Sequence, residues 1–383
     1  MSDSQGSPKY VAVAEAIEAQ IRVGKWDGGK VPSVRGIAAL HAVSTVTALR
    51  AIQILRDKGL IQTVERAGSR RVPPPTADRW ALVLRATPGQ WQTATINRCR
   101  FGFEALARRE PMHLEPDAVP LAPELSAADI RARVRRAKAD GVGGAFLLPS
   151  RCSDEEMRVD ERLLAACKAE ALPVVLLERN LRGHRRKLEH DLVAADHADG
   201  AATLTRHLLD LGRRRVAVVV ASPTSSHNDK VAGYLYALHA AALDGNGAAP
   251  ELRPVVLYQS HERPTREAYA SLADEVQRRH LDGVVCFQDY AAVGLTFELL
   301  SRGLRVPADV AVVGSDDLPV GEQCAIGITT YAYPGEPVAE QAVRLMRERQ
   351  RNPDRPPLKV VVPGHMIVRA SSTGAPARAP EGS

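Results

Sequence analysis

Cysteine is scarce and unpaired in this sequence. The five residues Cys99, Cys152, Cys167, Cys286 and Cys324 are scattered over 383 positions. Disulfide frameworks and zinc clusters need short, repeated spacings, so this pattern predicts reduced thiols and no structural metal. Long apolar runs are missing as well, with nothing near the roughly eighteen consecutive apolar residues of a membrane-spanning helix. The N-terminus, MSDSQGSPKYVAVAEAIEAQ, has no basic start followed by an apolar stretch and a small-residue cleavage site. No secretory signal is expected, and the cytoplasm is the expected compartment. Catalytic signatures are equally absent: no HExxH, no GxSxG elbow, no Walker loop, and no GxGxxG following a strand. Gly141-Val142-Gly143-Gly144 is glycine-rich but precedes a strand, which makes it a turn. No cofactor is expected, and without a nucleophile or metal constellation binding is favoured over catalysis.

What is present is a globular composition, 45% apolar and 25% charged, in a chain long enough for two or three domains. Its positive charge is concentrated. Residues 1–75 carry eleven Lys and Arg against six Asp and Glu, a net +5 of the whole chain's +6. A small basic head on a nearly neutral body is an electrostatic footprint for a polyanion.

Within the head, Tyr10, Val13, Ala14, Ile17 and Ile21 recur at helical spacing. Pro32-Ser33 opens a short second helix with Val34, Ile37, Ala38 and Leu40 inward. Ser44 is a fitting N-cap for a third, on which Ala48, Ala51, Ile52 and Leu55 form the buried stripe. Leu60–Val64 and Arg70–Val72 read as two strands around a turn. Three helices and a two-stranded wing make a winged helix-turn-helix. Thr45, Thr47 and Arg50 then lie outward near the start of the third helix, where hydroxyls, a guanidinium and free amides can meet phosphates or base edges. Arg66, Arg70 and Arg71 on the hairpin are placed to reach a neighbouring groove or the DNA backbone. The other reading of this head is a small helical domain that binds protein.

Val31-Pro32-Ser33-Val34-Arg35, Val43-Ser44 with Thr47, and Gly59-Leu60-Ile61 resemble the GntR-type head of bacterial transcription regulators. The resemblance implies DNA contacts from Ser33, Arg35, Ser44, Thr47 and the wing residue Gly68. Thr45 stands where members of that family usually have Arg, and Leu49 where they often do, so the operator sequence does not carry over.

Pro73–Asp78 favours an extended polyproline conformation and forms a short, semi-rigid boundary. Beyond it, strands and helices alternate in two series, from Trp80 to Leu177 and from Gly200 to Gly314. That alternation predicts an α/β body of doubly wound parallel sheets in two lobes, with a ligand cleft at the carboxyl ends of the strands. Glu178, Asp289, Asp316 and Asp317 lie beside strand ends, as acids or as acceptors of ligand hydroxyls.

Pro173–Arg179, Lys230–Tyr234, Gln288-Asp289 with Val293-Gly294, and Val306–Asp317 are similar to the effector domain of LacI-type regulators, a periplasmic-binding-protein-like fold. The resemblance spans 79–372 and implies that Asp289 and Lys230 bind sugar hydroxyls, with Glu178 and Gln288 beside them. Lys230 replaces the family's Arg, exchanging a planar fork for a single ammonium. Glu178 replaces Asp and Gln288 replaces Asn. Trp91, near the first strand end, is placed to stack on a sugar ring. The expected organisation is a DNA-binding winged helix-turn-helix (1–72), a linker (73–78), a two-lobed effector-binding and dimerisation domain (79–372) and a disordered tail (373–383). The combination implies a homodimeric repressor of carbohydrate-use genes that binds double-stranded operator DNA and is relieved by a sugar-like effector. The rivals are a cytoplasmic enzyme acting on a sugar or nucleotide in the cleft, and a transport receptor.

Overall fold

The computed structural model describes residues 8–22, 32–57, 61–64, 68–71, 78–85, 93–116, 118–119, 121–122, 124–151, 153–183, 187–221, 224–244, 253–259 and 265–374. Arg66, Trp91, most of the proline-rich linker and the tail from 375 onward lie outside them. The chain divides into two compact units, Met1–Asp78 and Arg79–Ser383.

The first unit contains helices α1 (Lys9–Arg22), α2 (Val34–Leu40) and α3 (Thr45–Asp57), then strands β1 (Ile61–Val64) and β2 (Gly68–Arg71). The periodic apolar positions do what their spacing demands. Val13, Ala14 and Ile17 of α1 meet Ile37 and Ala38 of α2, and Ala48, Ala51, Ile52 and Leu55 of α3, in one core; Leu40, expected inward, is instead exposed at the end of α2. Ser33 caps α2 by accepting the Gly36 N–H at 3.2 Å. Ser44 caps α3 by accepting the Thr47 N–H at 3.1 Å. The axes of α2 and α3 are bent by 111°, within the range of a helix-turn-helix. Strands β1 and β2 pair antiparallel from Ile61 opposite Arg71 to Val64 opposite Gly68.

The second unit opens with β3 (Arg79–Val83), α4 (Thr93–Ala107), β4 (His113–Glu115), α5 (Ala127–Ala139), β5 (Ala145–Leu147), α6 (Asp154–Ala169), β6 (Val174–Leu177) and β7 (Asp191–Ala195). It crosses to a second lobe made of α7 (His197–Asp210), β8 (Val216–Val220), α8 (Ser225–Asp244), β9 (Val255–Tyr258), α9 (Arg266–Arg278), β10 (Gly283–Cys286), α10 (Asp289–Ser301), β11 (Ala311–Ser315), α11 (Pro319–Gln323) and β12 (Thr329–Ala332). The end of the chain then visits both lobes again, through α12 (Glu336–Arg351), β13 (Lys359–Val362), β14 (His365–Ile367) and α13 (Ala370–Thr373). The first sheet runs β4-β3-β5-β6-β7-β13 and is parallel throughout. The second runs β9-β8-β10-β11-β12-β14 and is parallel except for its last strand, an antiparallel edge of the kind many doubly wound sheets carry.

Each sheet is buried on both faces, as all-apolar strands such as Val216–Val220 require. In the first lobe α4 and α12 cover one face and α5 and α6 the other. In the second, α9 and α10 cover one face and α7 and α8 the other. A buried carboxylate pins the returning segment to the first lobe. Asp191 pairs with Arg349 at 3.0 Å and Arg355 at 2.8 Å, and accepts the Leu358 N–H at 2.9 Å.

Helix α8 lies unusually close to α7. A Cβ placed on Gly233 would stand 1.9 Å from the Ala198 carbonyl oxygen, so only glycine permits this approach. Gly233→Ala must push the two helices apart, at an expected cost of about 1–3 kcal/mol. A thermal denaturation curve with a midpoint several degrees lower would bear this out; an unchanged midpoint would refute it.

Candidate functional site

On the first unit, the outer side of the helix-turn-helix combines polar caps with apolar side chains. Ser33, Arg35, Ser44, Thr45 and Arg50 are exposed, and Thr47 is half-buried. The two serines have structural work as caps, and Ser44 Oγ also lies 2.9 Å from Thr47 Oγ1. Each hydroxyl retains capacity for a further hydrogen bond. Arg50 sits over the Tyr10 ring at 5.8 Å from its centroid, which gives its guanidinium a partner within the head. Val46 and Leu49, at 62% and 52% exposure, stand free on α3. Val46 was not singled out from the sequence, because an apolar residue outside the core stripe carries no signal until its face is known. Gly68 opens β2, and Arg70 lies in the same strand; Arg66 is outside the described residues.

On the second unit, the carboxyl ends of the strands from both lobes converge on a narrow, polar cleft with a cavity of about 20 Å³, room for about one water molecule. Glu178, Lys230 and Gln288 line it as expected from the sequence, together with Arg98, Arg151, Arg179, His197, His227 and Asp316. The centre is Arg98, on α4 of the first lobe. It pairs with Glu178 at 3.3 Å within that lobe and with Asp316 at 2.6 Å across the cleft. Both carboxylate residues adopt left-handed backbone, Glu178 at φ 63° and Asp316 at φ 94°. Non-glycine residues hold such conformations at a cost, most often where function fixes the side chain.

The remaining polar groups interlock with this triad. Gln288 donates from Nε2 to Asp316 at 2.8 Å, and His197 Nε2 lies 3.2 Å from Glu178. Lys230, on α8, donates to Tyr333 Oη at 2.8 Å and to Ser315 Oγ at 3.3 Å. Burial works against the Glu178 carboxylate, but Arg98, His197 and Arg179 hold its pKa well below the usual range. Burial lowers Lys230 to about 8 and keeps His197 and His227 neutral. With Glu178 ionised, His197 Nε2 is the donor and Nδ1 the acceptor.

Asp289, expected with Lys230 to bind sugar hydroxyls, does not line the cleft. It is fully buried at the start of α10. One carboxylate oxygen accepts the Leu318 N–H at 2.7 Å and the other the Thr330 hydroxyl at 2.7 Å. The side chain is packed behind Gly314 and Gly321, where it ties α10 to β12 and to the segment before α11. Burial raises its pKa to about 8, with Asp316 and Asp317 adding repulsion. The folded chain therefore holds that proton more tightly than the unfolded chain does, and this group's contribution to stability falls as pH rises from about 4 towards 8. Asp289→Asn should flatten the dependence of the melting temperature on pH between those limits; parallel curves for the two chains would refute it. Trp91 lies outside the described residues, so its stacking role finds no support here.

Arg98 was missed because nothing local marks it. The 85–127 stretch carries no motif, and its partners Glu178 and Asp316 are distant in sequence. The sequence places Asp316 beside a strand end, as an acid or an acceptor of ligand hydroxyls, but carries no sign of its pairing with Arg98.

Among the described residues no single helix is long and apolar enough to cross a membrane. The fold and site define a class: a helix-turn-helix head joined to a two-lobed body with a polar cleft. Residues 9–70 match the family described as bacterial regulatory proteins, gntR family, and residues 205–372 match the periplasmic binding protein-like domain. The chain thus carries a segment that matches the gntR family and, after it, one that matches the periplasmic binding protein-like domain.

The regulator GalR of Salmonella typhimurium (strain LT2) is 31% identical over 183 residues, 48% of this chain and 50% of that protein. CelR of Thermobifida fusca is 29% identical over 181 residues, 47% of this chain and 51% of that protein. The chain therefore spans about half the length of the curated relatives it matches. They are named as transcriptional regulators, not as enzymes. Among solved structures, the complex of the transcriptional regulator CelR with cellobiose has a TM-score of 0.58 at 22% identity, covering 89% of this chain and all of that one. A LacI family regulator from Enterococcus faecium with bound ribose has a TM-score of 0.56 at 19% identity, covering 78% of this chain and 99% of that one. At these identities the likeness is one of fold.

Proposed function

We propose that the protein is a ligand-responsive transcriptional regulator acting in the cytoplasm. In this reading it is a homodimeric repressor of carbohydrate-use genes, released from double-stranded operator DNA by a sugar-like effector bound between the lobes. The observation that carries the reading is the division of surfaces within one chain: an exposed α3 face on a head with most of the net charge, and, in a separate unit, a buried polar cleft between two lobes. The named relatives support it, because they are transcriptional regulators by name, and two similar folds hold cellobiose and ribose.

The head grips DNA through Ser33, Arg35, Ser44, Thr45 and Thr47, with Arg50 and the wing positions Arg66, Gly68 and Arg70 beside them. Two heads are needed because one offers few phosphate contacts, and dimers read paired half-sites. The cleft, closed here by the Arg98–Asp316 pair, must part for a sugar to enter. A ligand that binds the parted and closed arrangements unequally shifts their populations and with them the preferred spacing of the heads. A gel-shift assay on DNA from around the chain's own gene tests this, with and without candidate sugars. Arg35→Ala should lower DNA affinity with effector binding intact, and Lys230→Ala the reverse. Loss of both activities in both variants would overturn the assignment.

A further inference from the structure

The outer face of α3 can be sorted by what each side chain is free to do. The helix buries Ala48, Ala51, Ile52 and Leu55, so its opposite side presents Thr45, Val46, Leu49, Arg50 and Gln53, all exposed. The two long polar side chains of this row are engaged inside the head. Arg50 lies over the Tyr10 ring, 5.8 Å from its centroid, and Gln53 donates from Nε2 to Asp57 Oδ1 at 2.9 Å. Thr47, half-buried on the flank, is held by Ser44 through its hydroxyl at 2.9 Å and its N–H at 3.1 Å. What projects from the first five residues of the helix is therefore Thr45 and two aliphatic side chains.

That set restricts what the helix can read. In a helix-turn-helix the N-terminal part of the second helix faces base edges in the major groove. The commonest specific contact there runs from Arg or Lys to guanine, and Asn or Gln plays the same part for adenine. Helix α3 has none of these four residue types before Arg50. Val46 and Leu49 carry no hydrogen-bonding group, and at 62% and 52% exposure they stand in water on a domain with a core of its own. The feature of a base-pair edge that such side chains recognise is the C5 methyl of thymine, which no other standard DNA base carries. Packing an aliphatic group against it removes apolar surface of both from water. Thr45 adds a methyl of its own beside a hydroxyl that bonds to either base of an A·T pair.

We infer that Thr45, Val46 and Leu49 set the sequence specificity of the head, selecting thymine by its methyl group in place of guanine by its acceptors. The inference rests on reading the head as DNA-binding. Charge and specificity are then divided between side chains: cations such as Arg35 hold the phosphates, and an uncharged row reads the bases.

The test is selection by the full chain from a library of random-sequence duplexes, followed by replacement of thymidine with deoxyuridine in a selected duplex. Deoxyuridine pairs with adenine as thymidine does and lacks only the methyl. The selected duplexes should carry thymine at fixed positions. Deoxyuridine at one of these should weaken binding by about fourfold, the worth of one buried methyl, and elsewhere should change nothing. In Val46→Ala or Leu49→Ala, which truncate exposed side chains and should melt with the parent chain, at least one of these losses should vanish. That coupling separates contact with the methyl from its effect on duplex shape. Leu49→Arg should move the selected sequence towards guanine. Selected duplexes that require guanine and no thymine, an affinity indifferent to deoxyuridine, or binding without enrichment of any sequence would overturn the inference and leave the head a DNA-binding domain. Undiminished losses in Thr45→Ser, Val46→Ala and Leu49→Ala alike would assign the methyls to another element and overturn it too. No binding to any duplex, even at low salt, would overturn the DNA-binding reading together with it.

Discussion

Arg98→Met should lower the melting temperature of the body by roughly 6–20 °C. The guanidinium is the shared counter-ion of Glu178 and Asp316, whose side chains are 2% and 8% exposed. Removing one partner of a buried ion pair leaves charge in a medium that solvates it poorly, typically at about 3–5 kcal/mol. In a domain of this size each kcal/mol moves the midpoint by roughly 2–4 °C. The cost arises from the stranded carboxylates and not from lost packing. The triple variant with Glu178→Gln and Asp316→Asn should therefore regain a large part of it. A single variant melting within a degree or two of the parent chain would show that Arg98 neither holds the cleft shut nor neutralises its acids.

The second large effect is expected at the DNA. With five of six net charges in the first 75 residues, binding should be dominated by counterion release. Raising salt from about 50 to 200 mM should then weaken it by roughly a thousandfold or more. Arg35→Ala should weaken binding to all sequences about equally and lower the slope of log affinity against log salt by about one per head. Val46→Ala and Leu49→Ala should act differently. These two exposed aliphatic side chains stand on α3 beside Thr45, and an aliphatic group in the major groove reads thymine methyls, not guanine acceptors. Their loss should alter which base pairs are preferred and leave the salt slope unchanged. Affinities measured over a set of operator variants at several salt concentrations would distinguish the two kinds of contact.

The elements legible in the sequence were those with a strong local period. The apolar stripe of α3 and the all-apolar strands β8, β10 and β11 could be read almost to the residue, because each is specified by its own side chains. Strand β7 was not, since it begins with Asp191, and only contact with two arginines from the far end of the chain makes a carboxylate tolerable there. Helix α12 was missed although Val338, Ala342, Val343, Leu345 and Met346 form its buried stripe, because charged residues fill the rest of its surface. In the cleft, Lys230, Glu178 and Gln288 were found by motif. Asp289 was found the same way, but a motif gives position without orientation, and the first turn of α10 directs this carboxylate into the protein. Arg98 could not be found at all, because its role exists only once two lobes have assembled around it.

The route of the chain's last third has a consequence for biosynthesis. The first sheet is incomplete until β13 joins β7, and the second until β12 and β14 are added. No contiguous stretch of nascent polypeptide encodes either lobe, so neither can finish folding while the ribosome still holds residues 359–367. A premature stop before Lys359 would turn the inner strands β7 and β12 into edges, and these otherwise buried strands would invite the strand-to-strand association that exposed edges promote. Such a truncated product should be recovered as aggregate or cleared by proteolysis, and never as a single stable lobe.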